Sequence, residues 1–369
     1  MRTKATLHGL PVYQPGKLLE EVKRELGLDE VIKLASNENP FGCSPKVWES
    51  LAKEREFFAM YPEGDARGLR LELADFYGTS PDRIVCGNGS DEIVQMIARA
   101  YLEPGDQAVM ADITFPRYKT MTVVEGAKAV EVPLVNGVHD LDAMVEAVNE
   151  KTKIVWVCNP NNPTGTVISH TELTRFLSRL PDHVLIVVDE AYYEYVTDAD
   201  YPDTLSLLPD DPRLIVLRTF SKIYGLAAFR IGYGIASPEL ARELEKVREP
   251  FNTNRLAQRA ARTALTDQDF VCNCREANRK GMDQIVRQLE NWGLSYFPSQ
   301  GNFLLLDTQR PAQEVFDVLL RQGVIVRSGS ALGYPTHIRV TIGTEEQNRR
   351  FLQALAYALE KPIPKEAAR

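Results

Sequence analysis

Two apolar rhythms alternate along the chain. "KLLEEVKREL" puts Leu18, Leu19, Val22 and Leu26 on one helical face with charges opposite, and "DEIVQMIARAYL" does the same with Ile93, Val94, Met96, Ile97, Ala100 and Tyr101. Between such helices lie short runs that are apolar at almost every position: "QAVMA", "KIVWVC", "VLIVVD" and "RLIVLR". A run without polar alternation reads as a strand buried on both faces. The prediction is therefore an α/β fold with a mostly parallel central sheet covered by helices.

The last third changes character. "YFPSQGNFLLLD", "VIVRSG" and "HIRVTIG" read as strands separated by the helical segments "AQEVFDVLLRQG" and "EEQNRRFLQALAYALE". These observations suggest an N-terminal arm and helix over 1–32, a large domain over 33–265 and a smaller α/β domain over 266–369, with the arm folded back on the small domain. On a parallel sheet, ligands gather at the carboxyl ends of the strands, so the chemistry is expected there.

Composition narrows the classes. The 369 residues are 44% hydrophobic and 25% charged with a formal net charge of −8. That balance argues against a dedicated nucleic-acid or anionic-membrane binder, which needs clustered cations. No apolar run approaches the ~20 residues that span a bilayer, and "MRTKATLHGLPVYQPGK" lacks the apolar core of an export signal. Cys43, Cys86, Cys158, Cys272 and Cys274 are scattered and accompanied by no histidine pair. Reduced thiols in the cytoplasm, and no metal centre, are expected.

Four segments end in polar residues at expected strand ends. "GNGSDE" opens a helix, so the amides of Ser90 and Asp91 would face an anion, although a plain helix cap accounts for the same residues. "KIVWVCNPNNPTG" carries Asn159, Asn161 and Asn162 into a turn. "VLIVVDEAYYEY" delivers Asp189 from an apolar strand, where a carboxylate needs a partner, with Tyr192 three residues on. In "VLRTFSKIYGLAAFRIGYGIA", Thr219, Ser221, Lys222 and Arg230 form a hydroxyl-rich, cationic cluster suited to phosphate. A phosphate site, a buried acid and a lysine together call for a ligand with a phosphate, a cationic nitrogen and an aldehyde. Pyridoxal 5'-phosphate has all three.

In order and spacing, "NNPTG", "DEAYYEY", "TFSKIYGLAAFRIGY" and "HIRVTIGT" resemble the fold-type I pyridoxal-phosphate aminotransferases. The N-terminal "YQPGKLLEEVKRELGLDEVIKLASNENPFGCSP", the later "YPEGDARGLR" and "VIVRSGSALGYPTHIRVTIGT" resemble the branch of that family that acts on L-histidinol phosphate. The resemblance runs from about residue 8 to residue 358. It implies transamination between L-histidinol phosphate and 2-oxoglutarate, giving imidazole acetol phosphate and glutamate, a step of histidine biosynthesis. An aromatic-amino-acid aminotransferase shares every cofactor residue, and threonine-phosphate decarboxylase is a further relative. A non-catalytic cofactor-binding module would carry an added domain for which the sequence before Leu10 has no length.

The same resemblance implies roles. Lys222 would bind the cofactor's aldehyde carbon and, once displaced, move the substrate's α-proton, which requires a neutral amine and hence a lowered pKa. Asp189 would pair with the ring nitrogen and keep it protonated. Asn162 and Tyr192 would hydrogen-bond the ring oxygen. The amides of Ser90 and Asp91, with Thr219, Ser221 and Arg230, would hold the phosphate. Phe115 in "DITFPRY" matches the aromatic that stacks on the ring, a role open to Tyr118 as well. Tyr61 matches a tyrosine that reaches the phosphate from the other subunit, which would make the enzyme a homodimer with a shared site. Arg339 would receive the substrate's anionic group, helped by Arg327 and Tyr13, and one arginine that clasps either carboxylate or phosphate would serve both halves of a ping-pong cycle.

Overall fold

The computed structural model describes residues 3–10, 12 and 17–363. Near the N-terminus lies a short strand, β1 (Ile32–Lys33). Seven strands follow: β2 (Ile84–Gly87), β3 (Gln107–Ala111), β4 (Lys128–Val132), β5 (Thr152–Cys158), β6 (Leu185–Asp189), β7 (Leu214–Thr219) and β8 (Gly232–Ile235). The last third contributes β9 (Phe303–Asp307), β10 (Val324–Ile325), β11 (Arg327–Ser328) and β12 (His337–Thr341).

The seven central strands form one sheet in the order β2-β8-β7-β6-β5-β3-β4. β8 runs antiparallel to β2 and β7, and every other pairing is parallel. Alternate residues explain the unbroken apolar runs. Val155 and Val157, Ile186 and Val188, and Val216 join a core with residues of helices Arg67–Tyr77, His170–Arg179 and Arg255–Leu265. Ile154, Trp156, Val187, Ile215 and Leu217 join a second core with helices Ser90–Tyr101, Arg117–Val124 and Pro238–Glu245. Both faces are covered, so both are predominantly apolar, and the one buried cation of β7, Arg218, is paired.

Strand β8 was not visible as an apolar run, because it reads Gly-Tyr-Gly-Ile. Its glycine is there for space: a Cβ on Gly232 would lie 2.4 Å from the Ser90 amide nitrogen. Helix Ser90–Tyr101 can thus begin directly against the strand.

The last third forms its own antiparallel sheet, β11-β12-β9, beside a parallel pair of β1 and β10. "VIVRSG" splits at Val326, because its first half pairs with β1 and its second half with β12. Leu304, Leu306, Ile338, Val340, Phe351 and Leu355 make a further core, and Ile32 and Leu34 from the N-terminal segment pack into it. Helix Gln268–Trp292 connects the two regions: Val271 and Cys274 pack with the central sheet, whereas Ile285, Leu289 and Trp292 pack in the C-terminal core. Of the amphipathic stripe on helix Leu19–Leu26, only Val22 is buried; Leu18 and Leu26 are exposed in the single chain. Among the described residues no helix is long and apolar enough to cross a membrane.

Candidate active site

The carboxyl ends of β5, β6 and β7, the loop after β3 and the start of helix Ser90–Tyr101 surround a cavity of about 200 Å³. It brings together Ser90, Asp91, Phe115, Asn162, Asp189, Tyr192, Thr219, Ser221, Lys222 and Arg230. Cys158 and Ala191 complete the wall, and the sequence offered no reason to single them out. The three asparagines of the turn after β5 separate here. Asn159 accepts from the Ile168 amide, and Asn161 bonds Thr114 and the Ile113 carbonyl, so both build the turn. Asn162 alone of the three lines the cavity.

Asp189 ends β6 and is buried. Tyr118 donates its hydroxyl to Oδ2 at 2.7 Å, and the Ala191 amide donates to Oδ1 at 3.2 Å. Desolvation outweighs these bonds and raises the carboxyl pKa to about 6. Tyr118 lies behind the carboxylate, stacked on Trp156 with ring centroids 4.9 Å apart, whereas Phe115 faces the cavity. The next residue, Glu190, is 0% exposed and takes Nη2 of Arg218 on β7 at 2.8 Å. A buried ion pair thus ties the end of β6 to its neighbour.

Lys222 follows β7, with Nζ 3.4 Å from the Ser36 carbonyl oxygen and 5.5 Å from the Tyr192 ring centroid. Desolvation, then the Arg339 charge, lowers its pKa to about 8. Roughly a tenth of this amine is therefore neutral at pH 7, far more than of an ordinary surface lysine.

At the other end of the cavity is an anion corner. Helix Ser90–Tyr101 starts after Gly89 with no side-chain cap, which leaves its first amides open toward the cavity. Gly89 has φ +74°, and a Cβ there would sit 2.7 Å from Nη2 of Arg230. Arg230 donates to the Ser221 hydroxyl at 3.3 Å and reaches Asp91 at 3.4 Å. Thr219 Oγ1 accepts from the Ser221 amide at 3.0 Å and so shapes the loop that presents the lysine.

Arg339 on β12 approaches from the C-terminal unit. Its Nη1 donates to Asn162 Oδ1 at 2.6 Å and its Nη2 to the Ala35 carbonyl at 2.8 Å. Arg327 lies opposite it in the antiparallel register. Asn37 donates to the Tyr192 hydroxyl oxygen at 3.0 Å, a contact no local pattern announced. Tyr61 lies away from the cavity, 77% exposed and stacked on Phe251. Tyr13 lies outside the described residues.

An acid, an amine, a hydroxyl–guanidinium corner and two glycines that leave no room for a Cβ fit one flat, anionic, aldehyde-bearing ring: pyridoxal phosphate. The comparisons with known proteins agree. The family model for aminotransferase class I and II matches residues 29–355. The histidinol-phosphate aminotransferase of Brevibacillus brevis is 57% identical over 96% of this chain and 98% of its own length. That of Geobacillus sp. (strain WCH70) is 55% identical over 98% and 99% respectively. The crystal structure of histidinol-phosphate aminotransferase from Sinorhizobium meliloti in complex with pyridoxal-5'-phosphate superposes with a TM-score of 0.89 at 29% identity, covering 97% of this chain and 98% of that one. The chain belongs to the class I and II aminotransferases and, within them, to the histidinol-phosphate aminotransferase family.

Proposed function

We propose that this chain is a pyridoxal-phosphate-dependent transaminase that moves the amino group of L-histidinol phosphate to 2-oxoglutarate, giving imidazole acetol phosphate and L-glutamate, in histidine biosynthesis. The observation that carries the reading is one cavity lined by Asp189 and Lys222, with Arg339 bonded to the wall residue Asn162. When bound, pyridoxal phosphate supplies an electron-withdrawing ring that stabilises negative charge at the substrate's α-carbon.

The protein's own groups do the rest. Ser90 and Asp91 amides, Thr219, Ser221 and Arg230 hold the phosphate. Asp189 holds a proton on the ring nitrogen, and Phe115 covers the ring face. Asn162 and Tyr192 donate to the ring oxygen. Lys222 is the covalent anchor, and its neutral amine is the base for the α-proton. Arg339, with Arg327 and Tyr13, clasps the phosphate of one substrate and the α-carboxylate of the other.

The exposed run Phe57, Phe58, Met60 and Tyr61 supports a homodimer in which Tyr61 reaches the partner's phosphate site. The absence of disulfides among the five cysteines supports a cytoplasmic location. We place the arm at 1–32, the cofactor-binding domain at 33–265 and the small domain at 266–369; the separate cores support two units, with Leu34 packing in the C-terminal core and Val271 and Cys274 in the central one. Single-turnover amination of the loaded enzyme by histidinol phosphate, phenylalanine and glutamate tests the substrate. Histidinol phosphate is expected to react faster than phenylalanine; the reverse order would assign an aromatic-amino-acid aminotransferase.

A further inference from the structure

Asn37 sits in a left-handed backbone conformation (φ 56°) and is 1% exposed. It joins three parts of the chain. Its amide N–H donates to Thr341 Oγ1 at 2.9 Å, and Thr341 Oγ1 donates to Asn37 Oδ1 at 3.1 Å. Its carbonyl accepts from Asn302 Nδ2 at 3.0 Å. Its Nδ2 donates to the Tyr192 hydroxyl oxygen at 3.0 Å.

The proton inventory fixes the direction of these bonds. A threonine hydroxyl has one proton. Thr341 Oγ1 already accepts from the Asn37 backbone, so its own proton goes to an acceptor, and that acceptor is Oδ1. The nitrogen of the Asn37 amide is thereby turned toward Tyr192. Nδ2 has only protons to offer, so at this contact the tyrosine oxygen is an acceptor and its own proton must point elsewhere. Tyr192 is buried and lines the cavity.

We propose that Asn37 is a positioning residue that aims the Tyr192 hydroxyl proton into the cavity, at the ring oxygen of pyridoxal phosphate, with Thr341 fixing the asparagine's own orientation. This rests on the reading of Tyr192 as a donor to that oxygen. Without Asn37 the tyrosine rotor is free, and the ring oxygen loses a donor that offsets its negative charge. That oxygen then holds the neighbouring proton of the lysine linkage more tightly, so the linkage loses its proton at a higher pH.

The test uses the full chain loaded with pyridoxal phosphate and follows the visible absorption band of the lysine-bound cofactor against pH. Tyr192→Phe raises the midpoint by roughly half to one pH unit, the worth of one net hydrogen bond. Asn37→Gly, which tolerates the positive φ, raises it in the same direction. Thr341→Val, nearly equal in shape, raises it by less and guards against a variant that fails to fold. In a Tyr192→Phe background neither substitution adds a further rise, as expected of groups acting through one proton. A wild-type midpoint in both Asn37→Gly and Thr341→Val, or a rise that persists undiminished in the Tyr192→Phe background, overturns the role of Asn37. A wild-type midpoint in Tyr192→Phe alone overturns instead the reading of Tyr192.

Discussion

Tyr118 donates its hydroxyl proton to Asp189 Oδ2 across 2.7 Å, from a ring clamped flat against Trp156. The bond favours the ionised carboxylate against the desolvation that raises its pKa. Tyr118→Phe keeps the ring stack and removes that bond. A hydrogen bond to a charged group is worth roughly 1.5–3 kcal/mol, so pyridoxal phosphate is expected to bind at least about tenfold more weakly. Titration of the apoprotein with the cofactor, followed by absorbance, measures this; unchanged affinity would rule out a supporting role for Tyr118.

Lys222 in the apoprotein should behave as an unusually acidic lysine. Its pKa is lowered to about 8 by desolvation first and Arg339 second. Acylation by a small amine-directed reagent, read by peptide mass, should rise with pH around a midpoint near 8. Arg339→Gln removes a cation and should move that midpoint upward. Lys222→Ala should bind the cofactor without the absorption of a lysine linkage, and borohydride should then fix no label.

Asp189 makes the apoprotein less stable as pH rises. Its folded pKa is raised from 3.8 to about 6, so the folded state favours the protonated form. Stability from this group is complete below the unfolded value and is lost as pH climbs through 6. A separation of about two units corresponds to roughly 3 kcal/mol. Asp189→Asn apoprotein should therefore match the parent near pH 4 and exceed it at pH 8 in urea unfolding, while losing transamination. An equal offset at both pH values would contradict this origin.

Gly232→Ala should weaken cofactor binding more than it weakens the fold. The added Cβ would lie 2.4 Å from the Ser90 amide nitrogen and push away the helix start that faces the phosphate. Gly234→Ala is the control, since its Cβ would meet only Ile215 and Leu217 side-chain carbons at 3.2 Å. Cofactor titration should register a loss of about tenfold or more for the first, comparable to one lost charge-assisted hydrogen bond. The second should lose thermal stability with affinity unchanged.

A shared site predicts recovery of activity on mixing. Lys222→Ala and Tyr61→Ala chains, each inactive alone, should regain part of the activity when unfolded together and refolded, because one site in the mixed dimer keeps both residues. Proven mixed dimers with no recovery would count against Tyr61 in the partner's site.

Much of the architecture was legible because double-sided burial makes the middles of β5, β6 and β7 almost continuously apolar, with polar residues near the strand ends. Their last residues could then be read as site residues, since chain direction fixes which end of a parallel strand opens on the ligand side. Strand β8 was not legible: its Gly232 answers to the start of the helix at Ser90, a contact from more than a hundred residues away, and its Gly234 to side chains of β7. The turn after β5 offered three asparagines of equal promise, and only the backbone path decides that Asn162 faces inward. Tyr118 could not be distinguished from Phe115 by spacing, because its partner Asp189 is 71 residues away. Asn37 lay within an N-terminal stretch that carries the family resemblance, but its role could not be read there, since it depends on a threonine and a tyrosine from two other regions of the chain.

The bonds between Asn37 and Thr341 span 304 residues of sequence. A ribosome adding about 5–20 residues per second needs roughly 15–60 s to cover that interval. In the last third or so of that interval, once Arg230 has been added, a nascent chain holds the residues of the lysine and the phosphate corner without the arginine that clasps substrate. Competence to react with an amino donor therefore arrives late in synthesis, when β12 settles onto the N-terminal segment, and a polypeptide truncated before residue 339 would lack the arginine placed to clasp the substrate's anionic group.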